Sequence, residues 1–166
     1  GRMLFLGAAE RTGPARAAMD RLEAAGSRAS VYHFLSRAND PYDAIFGVLA
    51  PRVRRGNAPL GLRGLGEARR GWLDIQLDHP AVAAWLTGRG MALERLGERV
   101  SHWHFYADPG AMRFYRAILR ERRAHAIDTL RAAGLPAKLQ PRWARLLPRR
   151  DVLHPLADGA PELTRI

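Results

Sequence analysis

The amino-acid sequence contains no cysteine, a single lysine and no long apolar run. The lack of cysteine excludes disulfide bonds, thiolate-ligated zinc sites and cysteine nucleophiles. The lack of about 18 consecutive apolar residues predicts that no helix of the chain crosses a membrane. The apolar stretch MLFLGAA at residues 3–9 is too short for a signal peptide, and no processing site follows it. From these absences we expect a cytoplasmic protein with no membrane partner.

The length and composition predict one folded domain. A chain of 166 residues is about the size of an ordinary domain, and an apolar fraction of 47% is typical of a protein with a packed core. No internal repeat or second domain boundary is visible. We therefore predict a single domain over residues 3–150, with a basic helical part at 109–150 and a proline-containing tail at 151–166.

The N-terminal third of the sequence alternates strand, helix and strand. MLFLGAA at residues 3–9 is typical of a short buried strand, and GPARAAMDRLEAAG at 13–26 of a helix that Gly26 ends. RASVYHFLS at 28–36 is rich in the β-branched and aromatic residues of strands. This order predicts a right-handed βαβ unit with parallel strands, and hence an α/β fold with a mostly parallel sheet.

The remaining elements are predicted from periodicity and from glycine and proline positions. They are a helix at 40–55, a mobile loop at 56–71, a strand at 72–78, a helix starting at Pro80, a strand at 98–107, one long helix at about 111–133 and a short helix at 143–147.

The basic charge is concentrated in two blocks. The formal net charge is +11, and all basic residues except Lys138 are arginine. Residues 51–70 carry six basic and one acidic side chain, and residues 109–150 carry 11 and two. The stretch between them, 71–108, carries three and five. Blocks of this kind attract polyanions and accelerate their encounter with the protein.

The arginines of the predicted long helix fall on one side of it. At about 100° per residue, five of them occupy a sector of roughly 80°: Arg113, Arg116, Arg120, Arg123 and Arg131. The planar guanidinium fork donates paired hydrogen bonds to phosphate. Four more basic side chains surround Trp143, whose ring could stack on an unpaired base: Arg142, Arg145, Arg149 and Arg150.

From this distribution we predict a protein that binds nucleic acid, either DNA or RNA, or another phosphate-rich polyanion. The binding residues are Arg113, Arg116, Arg120 and Arg123 together with the arginines at 142–150. Two other interpretations stay open. The arginine stems can lie along the edge of the core with their charged ends in water, or the helix can dock on an acidic surface of a protein partner.

Histidines suggest a place for catalysis. In the predicted strand at 98–107, His102 and His104 share a face because side chains alternate. Asp78 and His79 lie near the end of the preceding predicted strand. A His/Asp cluster beside arginines suits phosphodiester hydrolysis, in which a histidine or a metal ion activates water or a ribose hydroxyl. The alternative is that these histidines are structural or merely exposed, and the pattern specifies no metal ion.

The loop GAAERTGP leads from the first strand into the first helix, and a helix N-terminus is a ready anion site. Arg11, Thr12 and Gly13 could hold a phosphate there. This loop makes a nucleotide- or nucleotide-sugar-using enzyme of doubly wound type the alternative function. It ranks second because the motifs GxGxxG and GxxxxGK[ST] are both absent. Whether the protein is an enzyme at all stays open.

Overall fold

A computed structural model describes residues 1–8, 10–36, 59–94 and 104–139, and for Leu62 and His104 the backbone alone. Its strands are β1 (Arg2–Leu6), β2 (Ser30–Leu35) and β3 (Trp72–Gln76), which form a parallel sheet in the order β1-β2-β3. Its helices are α1 (Thr12–Ala24), α2 (Leu60–Arg63), α3 (Pro80–Thr87), α4 (His104–Ala107), α5 (Pro109–Arg120) and α6 (Ile127–Ala132). The predicted α/β class is confirmed.

Several predicted elements lie outside the described residues. They are the helix at 40–55, the first part of the strand at 98–107 and the short helix at 143–147. Within the described residues, β1 and β2 pair in parallel and α1 lies between them in the chain. The right-handed βαβ unit, the basic part over 109–150 and the division at residue 151 stay predictions.

The register of the strands separates the sheet into two faces. Leu4 pairs with Tyr32, which pairs with Leu73, whereas Phe5 is aligned with His33 and Asp74. Because side chains alternate along a strand, the first set faces one side of the sheet and the second set faces the other.

Each face of the sheet is covered by its own helices. The larger core lies on the face of Tyr32 and buries side chains from the second half of the chain, including Leu86 of α3, Phe114 and Ile118 of α5, and Leu130 of α6. The smaller core lies on the opposite face and contains Ala15 and Met19 of α1, Leu60 of α2, Leu65, Val31 and Trp72. Burial on both faces explains why five of the six β2 residues are buried and four of these are apolar or aromatic.

The predicted strand at 98–107 is wrong for its last residues, because His104–Ala107 is helical. Phe105 is fully buried while Tyr106 beside it is 49% exposed. The chain then passes into α5, where the carboxylate of Asp108 accepts a 3.0 Å hydrogen bond from the Ala111 N–H and so caps the helix. At residues 104–107, the pattern that predicted a strand therefore corresponds to one buried aromatic ring in a short helix.

The predicted long helix is also wrong, because α5 ends at Arg120 and α6 starts only at Ile127. The Arg2 side chain donates hydrogen bonds to carbonyl oxygens at the end of α5 and in the following turn. Ile127 and Leu130 are buried in the larger core. The turn therefore replaces one straight helix with two, so that both α5 and α6 pack against the sheet.

The predicted mobile loop at 56–71 contains α2 and is tied to β3. Asp74 accepts a 2.9 Å hydrogen bond from the Leu65 N–H and a 2.8 Å bond from the Trp72 indole N–H. Gly64 has φ +63°, and a Cβ atom at this position would overlap the Asp74 carboxylate. The Asp74 carboxylate on β3 thus holds in place part of the segment that we predicted, from its glycine content, to be a mobile loop.

Candidate functional site

The exposed side of α5 and the turn after it carry four arginines, Arg116, Arg120, Arg122 and Arg123, which we call the basic surface. All four are exposed. On α5, the Arg116 and Arg120 positions lie one helical turn apart, and the opposite side buries the aromatic residue Phe114. The amphipathic character of the helix therefore directs these guanidinium groups towards solvent.

The basic surface lacks acidic partners within the described part of the chain. Residues 109–139 contain seven basic and two acidic side chains. Both acids already have partners: Glu121 lies 3.4 Å from the His125 imidazole, and Asp128 lies 3.7 Å from Arg131. None of the four arginines forms an ion pair with a described residue, so their charge is not neutralised there.

Two of the five arginines that were predicted to share one sector of a long helix behave differently. Arg113 lies on α5 but pairs with Glu94 at 3.2 Å, with both side chains about half exposed. Arg131 is not on the basic surface, because its guanidinium donates hydrogen bonds of 2.9 and 3.0 Å to the carbonyl oxygens of Arg69 and Trp72. The predicted grouping of five arginines in one sector is wrong because it depended on one continuous helix.

The other predicted arginines, Arg142, Arg145, Arg149 and Arg150, lie outside the described residues, as does Trp143. Their contribution stays a prediction. In the described part, Arg69 pairs with Asp20, Glu23 and Glu67. The Arg69 guanidinium donates hydrogen bonds to Glu67 and Asp20, which raise its pKa. Arg69 of the first basic block is therefore ion-paired, unlike the four arginines of the basic surface.

The predicted catalytic cluster of His102, His104, Asp78 and His79 stays a prediction, because two of its side chains lie outside the described residues. The side chains of His102 and His104 are not described, and His104 starts a helix, so the shared strand face does not exist at that residue. Asp78 is buried and accepts hydrogen bonds of 2.8 Å from the Ser36 hydroxyl and 2.7 Å from the Gln76 amide. The His79 imidazole accepts a bond from the Ala81 N–H and so caps α3.

The start of α1, where a nucleotide phosphate was predicted to bind, is hydrogen-bonded to the segment that begins at Pro59. Arg11 forms a β-bridge with Pro59 and is the N-cap residue of α1, without a hydrogen bond from its side chain to the helix. Thr12 is 1% exposed. The backbone of Gly61 also donates a hydrogen bond to the Ala8 carbonyl oxygen. The binding role predicted for Arg11, Thr12 and Gly13 stays a prediction.

A buried polar cluster that sequence analysis missed lies under α1 and α2. The His33 imidazole is fully buried, and its Nδ1 lies 2.8 Å from the Asp74 carboxylate. The other ring nitrogen, Nε2, has no hydrogen-bond partner among the described residues. The two residues are aligned across β2 and β3 but are 41 positions apart in the chain. Nothing local in the sequence indicates this pair.

A second missed feature is a cavity of about 460 Å³ between α3, α5 and α6. Trp85 and Arg89 form one wall, and α5 contributes Arg113 and Ala117. The guanidinium carbon of Arg89 lies 3.7 Å from the centre of the Trp85 ring system. The spacing of four residues between an aromatic ring and an arginine on a predicted helix is the signal that could have identified this pair.

Among the described residues, no group of three or more His, Cys, Asp or Glu side chains is arranged to hold a metal ion. In the same ranges, no helix combines the length and apolar character required of a membrane span. No family model, curated protein or solved structure matches this chain.

Proposed function

We propose that the protein binds nucleic acid, or a related phosphate-rich polyanion, through the basic surface. The observation that carries this proposal is the exposure of four guanidinium groups without carboxylate partners among the described residues. An isolated surface arginine is ordinary, but four adjacent ones with a single neighbouring acid, Glu121, repel one another. A ligand that supplies several negative charges removes this repulsion and gains charge-assisted hydrogen bonds.

The dimensions of the basic surface favour a repeating anion over a single small one. From Arg116 to Arg120 the helix rises about 6 Å, and the turn extends the surface beyond the end of α5. Phosphates of one duplex strand are spaced by about 3.4 Å along the axis. The surface is therefore long enough for two or more phosphates, and any arginines of segment 142–150 that join it would lengthen it.

Binding without cleavage is the function that the geometry supports best. The Asp78 carboxylate is buried and hydrogen-bonded, so it is poorly placed to accept a proton from a nucleophile at the surface. The His79 Nδ1 atom is occupied by the cap of α3. Among the described residues, the phosphodiesterase or nuclease hypothesis therefore has no assembled catalytic group. The nucleotide-enzyme alternative depends on the start of α1, where Thr12 is buried.

Charge reversal on α5 tests the proposal. Arg116→Glu combined with Arg120→Glu should lower the affinity for DNA and RNA oligonucleotides by on the order of 100-fold, because two charge-assisted hydrogen-bond donors are lost. The matched control is Arg21→Glu with Arg28→Glu, which makes the same change in net charge at exposed positions on the α1 side of the sheet. The control should lose much less affinity.

The uncharged variant Arg116→Gln with Arg120→Gln protects the test against a folding defect, since glutamate near a helix C-terminus opposes the helix dipole. This variant should also bind weakly while its melting temperature stays close to that of the wild type. Equal loss in the control and the α5 variants would assign binding to net charge alone. Binding to an acidic protein, with no affinity for either oligonucleotide, would favour the protein-interaction alternative.

A further inference from the structure

Trp85 and Arg89 form a cationic platform at the end of α3, in which the guanidinium group lies over the indole ring. The guanidinium group lies 3.7 Å from the centre of the Trp85 ring system. Arg89 also donates hydrogen bonds to the carbonyl oxygens of Trp85 and Ala133, at 3.3 and 3.2 Å. The Trp85 indole N–H donates to the same Ala133 carbonyl at 2.9 Å. These bonds hold both flat groups in place before any ligand arrives.

The cavity beside this platform has a size and a lining suited to a heteroaromatic ring. Its volume of about 460 Å³ lies within the range of small-molecule sites, roughly 300–1,000 Å³. Apolar side chains such as Met91 and Leu130 line part of it, and polar groups are contributed by Arg113, Glu121 and His125. A flat ring can stack on the platform while its polar edge meets these groups.

The cavity adjoins the basic surface along α5. Arg113, Ala117 and Glu121 line the cavity, and they follow one another at intervals of four residues. Arg116 and Arg120 each precede one of these positions by one residue, so on a helix they lie beside the cavity lining. A ligand that places phosphate on the basic surface can therefore place an attached ring in the cavity.

We propose that the protein binds single-stranded nucleic acid, with an unpaired base in the Trp85–Arg89 cavity and neighbouring phosphates on the basic surface. This inference rests on the proposed function and names its substrate class. Aromatic rings and guanidinium planes stack on any base without reading its sequence. A duplex presents no such base, since extrusion of one from the stack costs a few kcal/mol. The site consequently favours single strands over duplexes.

The test compares a labelled single strand of about 16 nucleotides with the duplex of the same sequence, by fluorescence anisotropy at fixed salt. Arg89→Lys keeps the charge but removes the planar group, and it should lower single-strand affinity about fivefold or more, the loss expected when base stacking is removed, while leaving duplex affinity unchanged. Trp85→Leu should have a similar effect, and Trp85→Phe, which keeps an aromatic ring, should retain most of the affinity. Arg21→Lys, on α1, is the matched control and should change neither affinity.

The outcomes separate this inference from the proposed function. If the wild type binds both forms and Arg89→Lys changes neither affinity, or lowers both equally, the base site is overturned although polyanion binding stands. If the wild type binds neither form, the proposed function itself fails. A free mononucleotide should not compete at concentrations near the dissociation constant of the oligonucleotide. Competition at such concentrations would identify a nucleotide pocket and overturn the single-strand assignment.

Discussion

The hydroxyl group of Tyr32 donates a 2.7 Å hydrogen bond to the carbonyl oxygen of His125, which joins the middle strand of the sheet to the turn between α5 and α6. The side chain of Arg2, on β1, donates to the carbonyl oxygens of Ile118 and Arg122 around the same turn. The turn carries Arg122 and Arg123, so the sheet itself holds half of the basic surface in position.

Removing the Tyr32 hydroxyl should destabilise the protein. Tyr32→Phe leaves the His125 carbonyl oxygen without this donor and should lower the free energy of unfolding by about 1–2 kcal/mol. Chemical denaturation measures the change. Tyr115→Phe is the matched control, because the Tyr115 hydroxyl is buried without a hydrogen-bond partner among the described residues. The control should show no loss, and an equal loss in both variants would refute the role given to the Tyr32 bond.

Stability should fall at alkaline pH because of the same two tyrosines. Burial raises the pKa of Tyr115, and the Asp108 charge raises it further; burial also raises the pKa of Tyr32. A folded-state pKa above the unfolded value of about 10 means that stability is complete below pH 10 and decreases as pH rises beyond it. Each tyrosine should contribute a slope of up to about 1.4 kcal/mol per pH unit.

Denaturation curves between about pH 8 and pH 11 measure this slope. Tyr115→Phe should reduce the slope of stability against pH by the contribution of one tyrosine, up to about 1.4 kcal/mol per pH unit. The account of Tyr115 fails if wild type and variant lose stability in parallel over this range.

Asp74 should be among the most sensitive polar positions in the described part of the protein. It accepts hydrogen bonds from Leu65 and Trp72 and lies 2.8 Å from the buried His33 imidazole. Asp74→Ala removes the partner of all three groups, so the free energy of unfolding should decrease by about 3 kcal/mol or more. Asp128→Ala, at a 73% exposed carboxylate that lies 3.7 Å from Arg131, should change it by less than about 1 kcal/mol. Similar values for the two variants would contradict the role assigned to Asp74.

Local sequence signals predicted the elements that depend on local chemistry. Helix α1 followed from the Gly26 signal that ends the predicted helix at 13–26, although its N-cap residue is Arg11 and no side chain caps it. The parallel pair β1–β2 followed from two short apolar runs separated by a helix. The end of α5 could not be predicted, because no glycine or proline marks it. Arg2 donates hydrogen bonds to the carbonyl oxygens of Ile118, in the last turn of α5, and of Arg122, just beyond it. These two residues are 116 and 120 positions away from Arg2 in the chain.

The candidate site was predictable to a similar extent. Exposure of Arg116 and Arg120 followed from the amphipathic pattern of α5, and the structure agrees. Arg123 is exposed too, but in the turn after α5. Two other contacts could not be predicted because they join residues that are far apart in the chain. Arg131 donates hydrogen bonds to backbone carbonyl oxygens, and Arg113 pairs with Glu94. The predicted strand at 98–107, with His102 and His104 on one face, fails at 104–107, where Phe105 is buried in a short helix.

The salt dependence of binding to a single-stranded oligonucleotide tests the central claim most directly. If Arg116, Arg120, Arg122 and Arg123 each neutralise one phosphate, the plot of log K against log salt concentration should have a slope of about −2.8. Arg116→Gln with Arg120→Gln should make the slope shallower by about 1.4, and Arg21→Gln with Arg28→Gln should leave it unchanged. A slope near zero in the wild type, or the same slope in both double variants, would contradict binding through the basic surface.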